Sequence, residues 1–280
     1  MSRIYRALEK LEEEKKKKEK EKEEPSVELF KEKDDLVKQE SNIKLPKEEV
    51  EGPKLPPREE APLLIVKPGT IEAEEFRKLK TQIFHRFPNP PRSILVTSTA
   101  PQEGKTMVSV NLAIAISKEI NQKVILIDGD LRNPKIHLER RKNSKGLSNY
   151  LSDGTPLSEI LINSEIENLS IIEAGPSTSK SSELIGSKRM GELLKAVTES
   201  VENPYIIIDS PPILSTTEPT LFAKMVDGIV LVLMANQTPK QAISRALKTV
   251  DRQKIIGVVL NQIDLKPSSY YSRYYHYYRK

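Results

Sequence analysis

Residues 93–106 read SILVTSTAPQEGKT, a short apolar run that opens into a loop and then into a helix continuing through Val108, Leu112, Ile114 and Ile116. Loops of this kind hold phosphate by pointing backbone N–H groups and a helix N-terminus at the anion. In such a loop Lys105 reaches the outer phosphates and Thr106 offers its hydroxyl to magnesium. The strict pattern places Gly six residues before the Lys, where this chain has Thr99. GKT by itself also occurs in ordinary surface turns. Between a buried strand and an amphipathic helix it reads as a nucleotide loop, contacting its ligand through Ala100, Pro101, Gln102, Glu103, Gly104, Lys105, Thr106 and Met107.

Two other apolar runs end in carboxylates. ILIDGDLRNP brings Asp128 and Asp130 to the end of one strand with Arg132 just after, and YIIIDSPP brings Asp209 to the end of another. In doubly wound sheets ligands bind at the carboxyl ends of the strands, so all three aspartates belong to the layer of the loop. The alternative is that Asp128 and Asp130 open a loop or cap the next helix. Asn261, near the end of the last strand, either contacts the nucleotide base or starts a loop.

The remaining pattern alternates apolar runs with helical stretches. Strands are expected at 93–98, 123–128, 169–173, 205–209, 228–234 and 255–260, and a helix at 71–86 with Phe76, Leu79, Ile83 and Phe84 on one face. Near-continuous apolar strands between helices indicate a doubly wound α/β fold, a mostly parallel sheet with helices on both faces. This domain is expected over residues 63–265. Before it, residues 1–24 read as a charged N-terminal helix with a short stripe of Ile4, Tyr5, Leu8 and Leu11, and 25–62 as a disordered tether rich in Pro and charge. After it, 266–280 read as a flexible tail. Six of the nine tyrosines lie there: Tyr270, Tyr271, Tyr274, Tyr275, Tyr277 and Tyr278.

Composition narrows the classes. There is no cysteine, which excludes disulfides, thiolate catalysis and zinc–thiolate sites. No run approaches the ~20 apolar residues of a membrane span and no apolar signal core opens the chain, so a soluble cytoplasmic protein is expected. His85, His137 and His276 are too scattered for a metal site, and Tyr150 and Tyr205 read as packing residues. The formal net charge is +5, and the tail contributes Lys266, Arg273, Arg279 and Lys280 with no acid. Tyrosines among basic residues can stack on single-stranded nucleic acid, but no companion basic groove is evident, so no nucleic-acid partner is expected.

The loop PQEGKT, the strand ends ILIDGDLR and IIIDSPP and the tyrosine-rich tail together resemble the bacterial tyrosine kinases (BY-kinases) of exopolysaccharide and capsule loci. The resemblance spans roughly residues 63–280 and includes GLSNYLSDGTPLSEI and SELIGSKRM; the opening MSRIYRALEKLEEE resembles the start of exopolysaccharide autokinases. It implies a P-loop fold of the ParA/MinD kind that uses ATP and Mg2+ to phosphorylate its own tail. Lys105 and Thr106 would belong to a Walker A motif, Asp128 and Asp130 to a family-specific second motif, and Asp209 to Walker B. Thr106 and Asp209 are then the expected magnesium ligands, with Asp128 a further candidate and the residue best placed to take the tyrosine proton. Asp130 would share the metal or orient the acceptor, and Arg132 would offset charge on the transferring group. Glu74, Arg77 and Lys80 match the family's Glu-x-x-Arg-x-x-Arg interface motif with Lys in the last place, which implies self-association into a ring. Gln102 stands where relatives usually have Gly.

A membrane-anchored polysaccharide co-polymerase is implied as a separate activator, recruiting the kinase to the inner face of the membrane through residues 1–11 or the 71–86 helix. A cognate tyrosine phosphatase is the other expected partner. Two rival readings remain. A ParA/MinD-type ATPase switch would usually carry a Lys where this chain has Ala100, and a non-catalytic ATP-binding scaffold would be consistent with Gln102.

Overall fold

The computed structural model describes residues 65–136 and 144–263. The expected N-terminal helix (1–24), tether (25–62) and tyrosine tail (266–280) lie outside the described residues. Within them, one sheet contains β1 (Ser93–Ser98), β2 (Val124–Asp128), β3 (Leu161–Asn163), β4 (Leu169–Ile172), β5 (Tyr205–Asp209), β6 (Gly228–Met234) and β7 (Ile255–Asn261). The spatial order is β3-β4-β2-β5-β1-β6-β7, parallel throughout except where β3 pairs antiparallel with β4. All six expected strands form. The added strand, β3, has only three residues, too few to show a period, and it runs along the outer side of β4.

The helices are α1 (Ile71–His85), α2 (Lys105–Ser117), α3 (Leu147–Ser152), α4 (Leu157–Ile160), α5 (Ser181–Ile185), α6 (Lys188–Ser200), α7 (Glu218–Met225) and α8 (Lys240–Thr249). Thr70 caps α1 by accepting the Ala73 N–H at 3.3 Å, and Glu72 and Glu74 complement the dipole in its first turn. Its apolar face of Phe76, Leu79, Ile83 and Phe84 packs against α2 and the sheet. That contact explains a departure from the expected amphipathic α2. Residues Val108–Ser117 are all buried, because α1 covers the side that would otherwise meet water.

Alternate strand residues feed two cores. Ile94, Val96, Leu126, Ile207 and Val230 face α1 and α2, while Leu95, Ile125, Ile127, Ile206 and Ile208 face Met190, Leu193 and Val197 of α6 and Phe222 of α7. Each fully buried side chain of this size contributes about 1.5–3 kcal/mol. The same alternation aims the site. Asp128 continues the series Val124, Leu126, and Asp209 the series Tyr205, Ile207, so both project on the side of α2. The two aspartates are register partners on adjacent strands.

Candidate active site

β1 ends at Ser98 and α2 starts at Lys105, leaving a loop of residues 99–104. Gly104, at φ 90°, turns the chain into the helix, and a Cβ there would collide with the Asn261 side chain. Gln102 also lies in the left-handed region, at φ 66°, and its side chain is exposed. The loop thus keeps a backbone turn suited to Gly, at a cost of about 1–2 kcal/mol for a residue with a Cβ.

The loop is braced from two directions. Glu103, buried, folds its carboxylate inward to accept the N–H groups of Thr99 (2.6 Å) and Ala100 (2.9 Å) and the hydroxyls of Thr99 and Thr238. From the end of β7, Asn261 donates its amide to the Glu103 carbonyl at 2.9 Å, and Gln262 donates to the Gln102 carbonyl at 3.1 Å. Glu103 and Asn261, expected beside the nucleotide, therefore hold the loop itself in this arrangement. The first turn of α2 contains no acidic residue, so its N-terminal amides keep their attraction for an anion.

Lys105 is 5% exposed and its Nζ lies 3.7 Å from Asp130 Oδ2. Thr106 Oγ1 donates to Asp209 Oδ2 at 2.7 Å, and Ser109 Oγ donates to Asp209 Oδ1 at 3.0 Å. Asp128 is enclosed by its own following turn, accepting from the N–H groups of Asp130 (3.0 Å), Lys135 (2.9 Å) and Ile136 (2.9 Å). Burial, and then the charge of Asp209, push the Asp128 carboxyl up to about 7 against those three donors. Asp209 is likewise raised by burial, opposed by Lys105, Thr106 and Ser109. Two buried carboxylates facing one another are costly unless a cation joins them.

Hard oxygen donors of this kind suit magnesium, which takes one or two carboxylates and completes its shell with water and phosphate. Thr106 and Asp209, already joined by a hydrogen bond, are the residues that would hold it. Among the described residues no three acidic or histidine side chains form a metal cage without help from a ligand.

Other expected residues lie elsewhere. Arg132 donates from Nε to Glu218 Oε1 at 2.7 Å and from its Nη2 to Ser182 Oγ at 3.2 Å, bracing the 128–136 turn against α5 and α7. In the interface motif, Arg77 pairs with Glu74 at 3.0 Å within α1, while Lys80 is largely covered and pairs with Glu119 beyond α2. Tyr205 stacks on Phe84 at 4.9 Å between ring centres, with the Arg92 guanidinium 4.5 Å from its ring. Ser109, Lys135, Ser182, Glu218, Thr238 and Gln262 also have polar roles here and were not among the candidates the sequence offered. Ser109 was accessible from its i,i+3 spacing to Thr106; Lys135 and Glu218 join through space alone.

A family model described as an AAA domain matches residues 94–262, more than half of the chain. The tyrosine-protein kinase CpsD of Streptococcus pneumoniae serotype 4 is 32% identical over 181 residues, covering 63% of this chain and 78% of that protein. Among solved structures, the chimerical protein CapA2B2 superimposes with a TM-score of 0.65 at 30% identity, over 70% of this chain and 87% of that one. The kinase domain of the Escherichia coli tyrosine kinase ETK gives 0.64 at 28% identity, over 71% and 78%. A likeness of this extent, carried by the domain that holds Lys105, Asp128 and Asp209, makes the chain a member of the bacterial tyrosine-protein kinase family.

Proposed function

We propose that the chain is an ATP-dependent autokinase that phosphorylates Tyr270, Tyr271, Tyr274, Tyr275, Tyr277 and Tyr278, and so regulates exopolysaccharide or capsule polymerisation and export. The observation carrying this reading is the convergence of Lys105, the Thr106–Asp209 pair and Asp128 at the ends of three adjacent strands. Phosphoryl transfer depends mainly on positioning and charge neutralisation. Lys105 and the loop amides hold the β- and γ-phosphates. Thr106 and Asp209 would hold magnesium, which would neutralise charge on the transferring group. The phenol oxygen forms a bond to the γ-phosphorus as the bond to the β–γ bridging oxygen breaks, ADP leaves with that electron pair, and the phenolic proton passes to Asp128. A carboxylate raised to about 7 suits a general base working near neutral pH.

The rival readings are weakened by two residues. Ala100 offers no lysine at the start of the loop, against a ParA/MinD-type switch. Gln102 adopts the turn a glycine would, with its side chain outside, against a loop disabled for nucleotide. Recruitment to the cytoplasmic face of a membrane by a co-polymerase-type activator, ring assembly through Glu74, Arg77 and Lys80, and reversal by a tyrosine phosphatase complete the proposal. It is consistent with the described helices, none of which is long and apolar enough to cross a membrane. The test is phosphosite mapping after incubation with ATP and magnesium, alongside Lys105→Ala, Asp128→Asn and Asp209→Asn. Phosphate on the C-terminal tyrosines of the parent, and its loss in the variants, is expected. Undiminished phosphorylation in all three variants ends the kinase reading.

A further inference from the structure

Glu103 puts a carboxylate inside a loop that must receive a triphosphate, and the residue is 3% exposed. Its charge is met by two amides and two hydroxyls. Oε2 accepts the N–H groups of Thr99 at 2.6 Å and Ala100 at 2.9 Å, and Oε1 accepts the Thr99 hydroxyl at 2.9 Å. These three donors belong to the loop itself, so they fold the carboxylate inward without fixing the loop to anything else. The fourth donor, the Thr238 hydroxyl on Oε1, comes from 135 positions further along the chain. Thr238 lies in the connection between β6 and α8, residues 235–239. Its N–H donates to the Met234 carbonyl at 3.1 Å and its Oγ1 accepts the Met234 N–H at 2.9 Å, so the turn closes on itself. A hydroxyl has one proton to donate, and Thr238 gives it to Glu103. The same turn is tied to β7 by the Ala235 N–H on the Asn261 carbonyl at 2.9 Å, and Asn261 returns to the loop through its side-chain amide. Loop, β6 end and β7 end therefore form a closed frame.

We propose that Thr238 is a positioning residue for the phosphate loop: acting through Glu103, it holds that carboxylate against the β6–α8 connection and keeps the loop in its phosphate-binding form. A carboxylate released from this hold would be free to turn towards solvent on the ligand side, where its charge would repel the incoming phosphates. The assignment rests on the loop binding a nucleotide, as the kinase reading requires, and does not depend on which group receives the phosphate.

The test is calorimetric titration of the full chain with the β,γ-imido analogue of ATP and magnesium. Thr238→Val, which keeps the branched shape and removes the hydroxyl, is expected to weaken binding by about five- to fiftyfold. Thr238→Ser, which keeps the hydroxyl, is expected to bring affinity back to within about threefold of the parent. Glu103→Gln breaks the same link from its other end, so the double variant should bind about as weakly as the weaker of the two single variants. Thr155→Val is the control for lost stability: it removes a hydroxyl that donates to Asp153 at 2.8 Å in the connection between α3 and α4, and should leave affinity within about twofold of the parent. Full affinity in Thr238→Val, no recovery in Thr238→Ser, an equal loss in Thr155→Val, or losses that multiply in the double variant overturn the assignment. A parent that binds the analogue, loses affinity in Thr238→Val and yet phosphorylates no tyrosine overturns the kinase reading and leaves Thr238 in its positioning role. A parent with no affinity for the analogue overturns both.

Discussion

Asp128 combines full burial with a carboxyl raised to about 7, whereas an unfolded Asp titrates near 3.9. Between those values the folded chain holds a proton that the unfolded chain has released, so stability falls as pH rises through that window. Asp209, also raised, acts in the same direction. We expect the melting temperature of the nucleotide-free protein to drop between about pH 4 and pH 7, and Asp128→Asn to flatten much of that drop. Identical slopes in parent and variant would assign the dependence to other groups. Gly104 offers a second test, since its φ of 90° disfavours any Cβ and the added atom would strike Asn261. Gly104→Ala should cost about 2 kcal/mol in urea unfolding. Adding Asn261→Ala should recover only a minor part, because the backbone strain remains.

At the scale of elements, the turn after β2 is held by an ion pair with α7. Glu218 is 0% exposed, and although burial would raise its carboxyl, hydrogen bonds led by that from Arg132 lower it to about 2. A depressed carboxylate stabilises the fold above its unfolded pKa, and that contribution is lost as pH falls from about 4 towards 2. Arg132→Ala leaves this carboxylate buried without its cation and should cost about 2 kcal/mol at neutral pH by urea unfolding. The double variant Arg132→Ala/Glu218→Leu should regain most of it, since the charge needing a partner is gone. The opposite end of the site is braced by the end of β7, where Asn261 and the following Gln262 bind loop carbonyls.

For the whole molecule, the proposed modification changes charge on a large scale. Each phosphate adds about −1.5 to −2, so three would overturn the four positive charges of residues 266–280. Assembly should therefore depend on phosphorylation state, read as a difference in mass by light scattering between autophosphorylated and phosphatase-treated protein; equal masses would refute it. Mixing a chain lacking its C-terminal tyrosines with a Lys105→Ala chain would show transfer between neighbours as phosphate on the loop-dead partner. The apolar runs, the GKT loop and the strand-end aspartates could be read from the chain because each depends on local chemistry: periodicity, a helix start, a carboxylate closing a strand. Strand β3 was too short to carry a period, and the enclosure of α2 required knowing that α1 lies over it. The inward turn of Glu103, the hold of Asn261 on the loop, the capture of Arg132 by Glu218 and the anchoring of the Lys135 N–H on Asp128 join residues far apart along the chain or hidden by local geometry, and a linear pattern records none of these distances. Burial and charge act through space, so the candidate groups were legible in the sequence and their partners only in the fold.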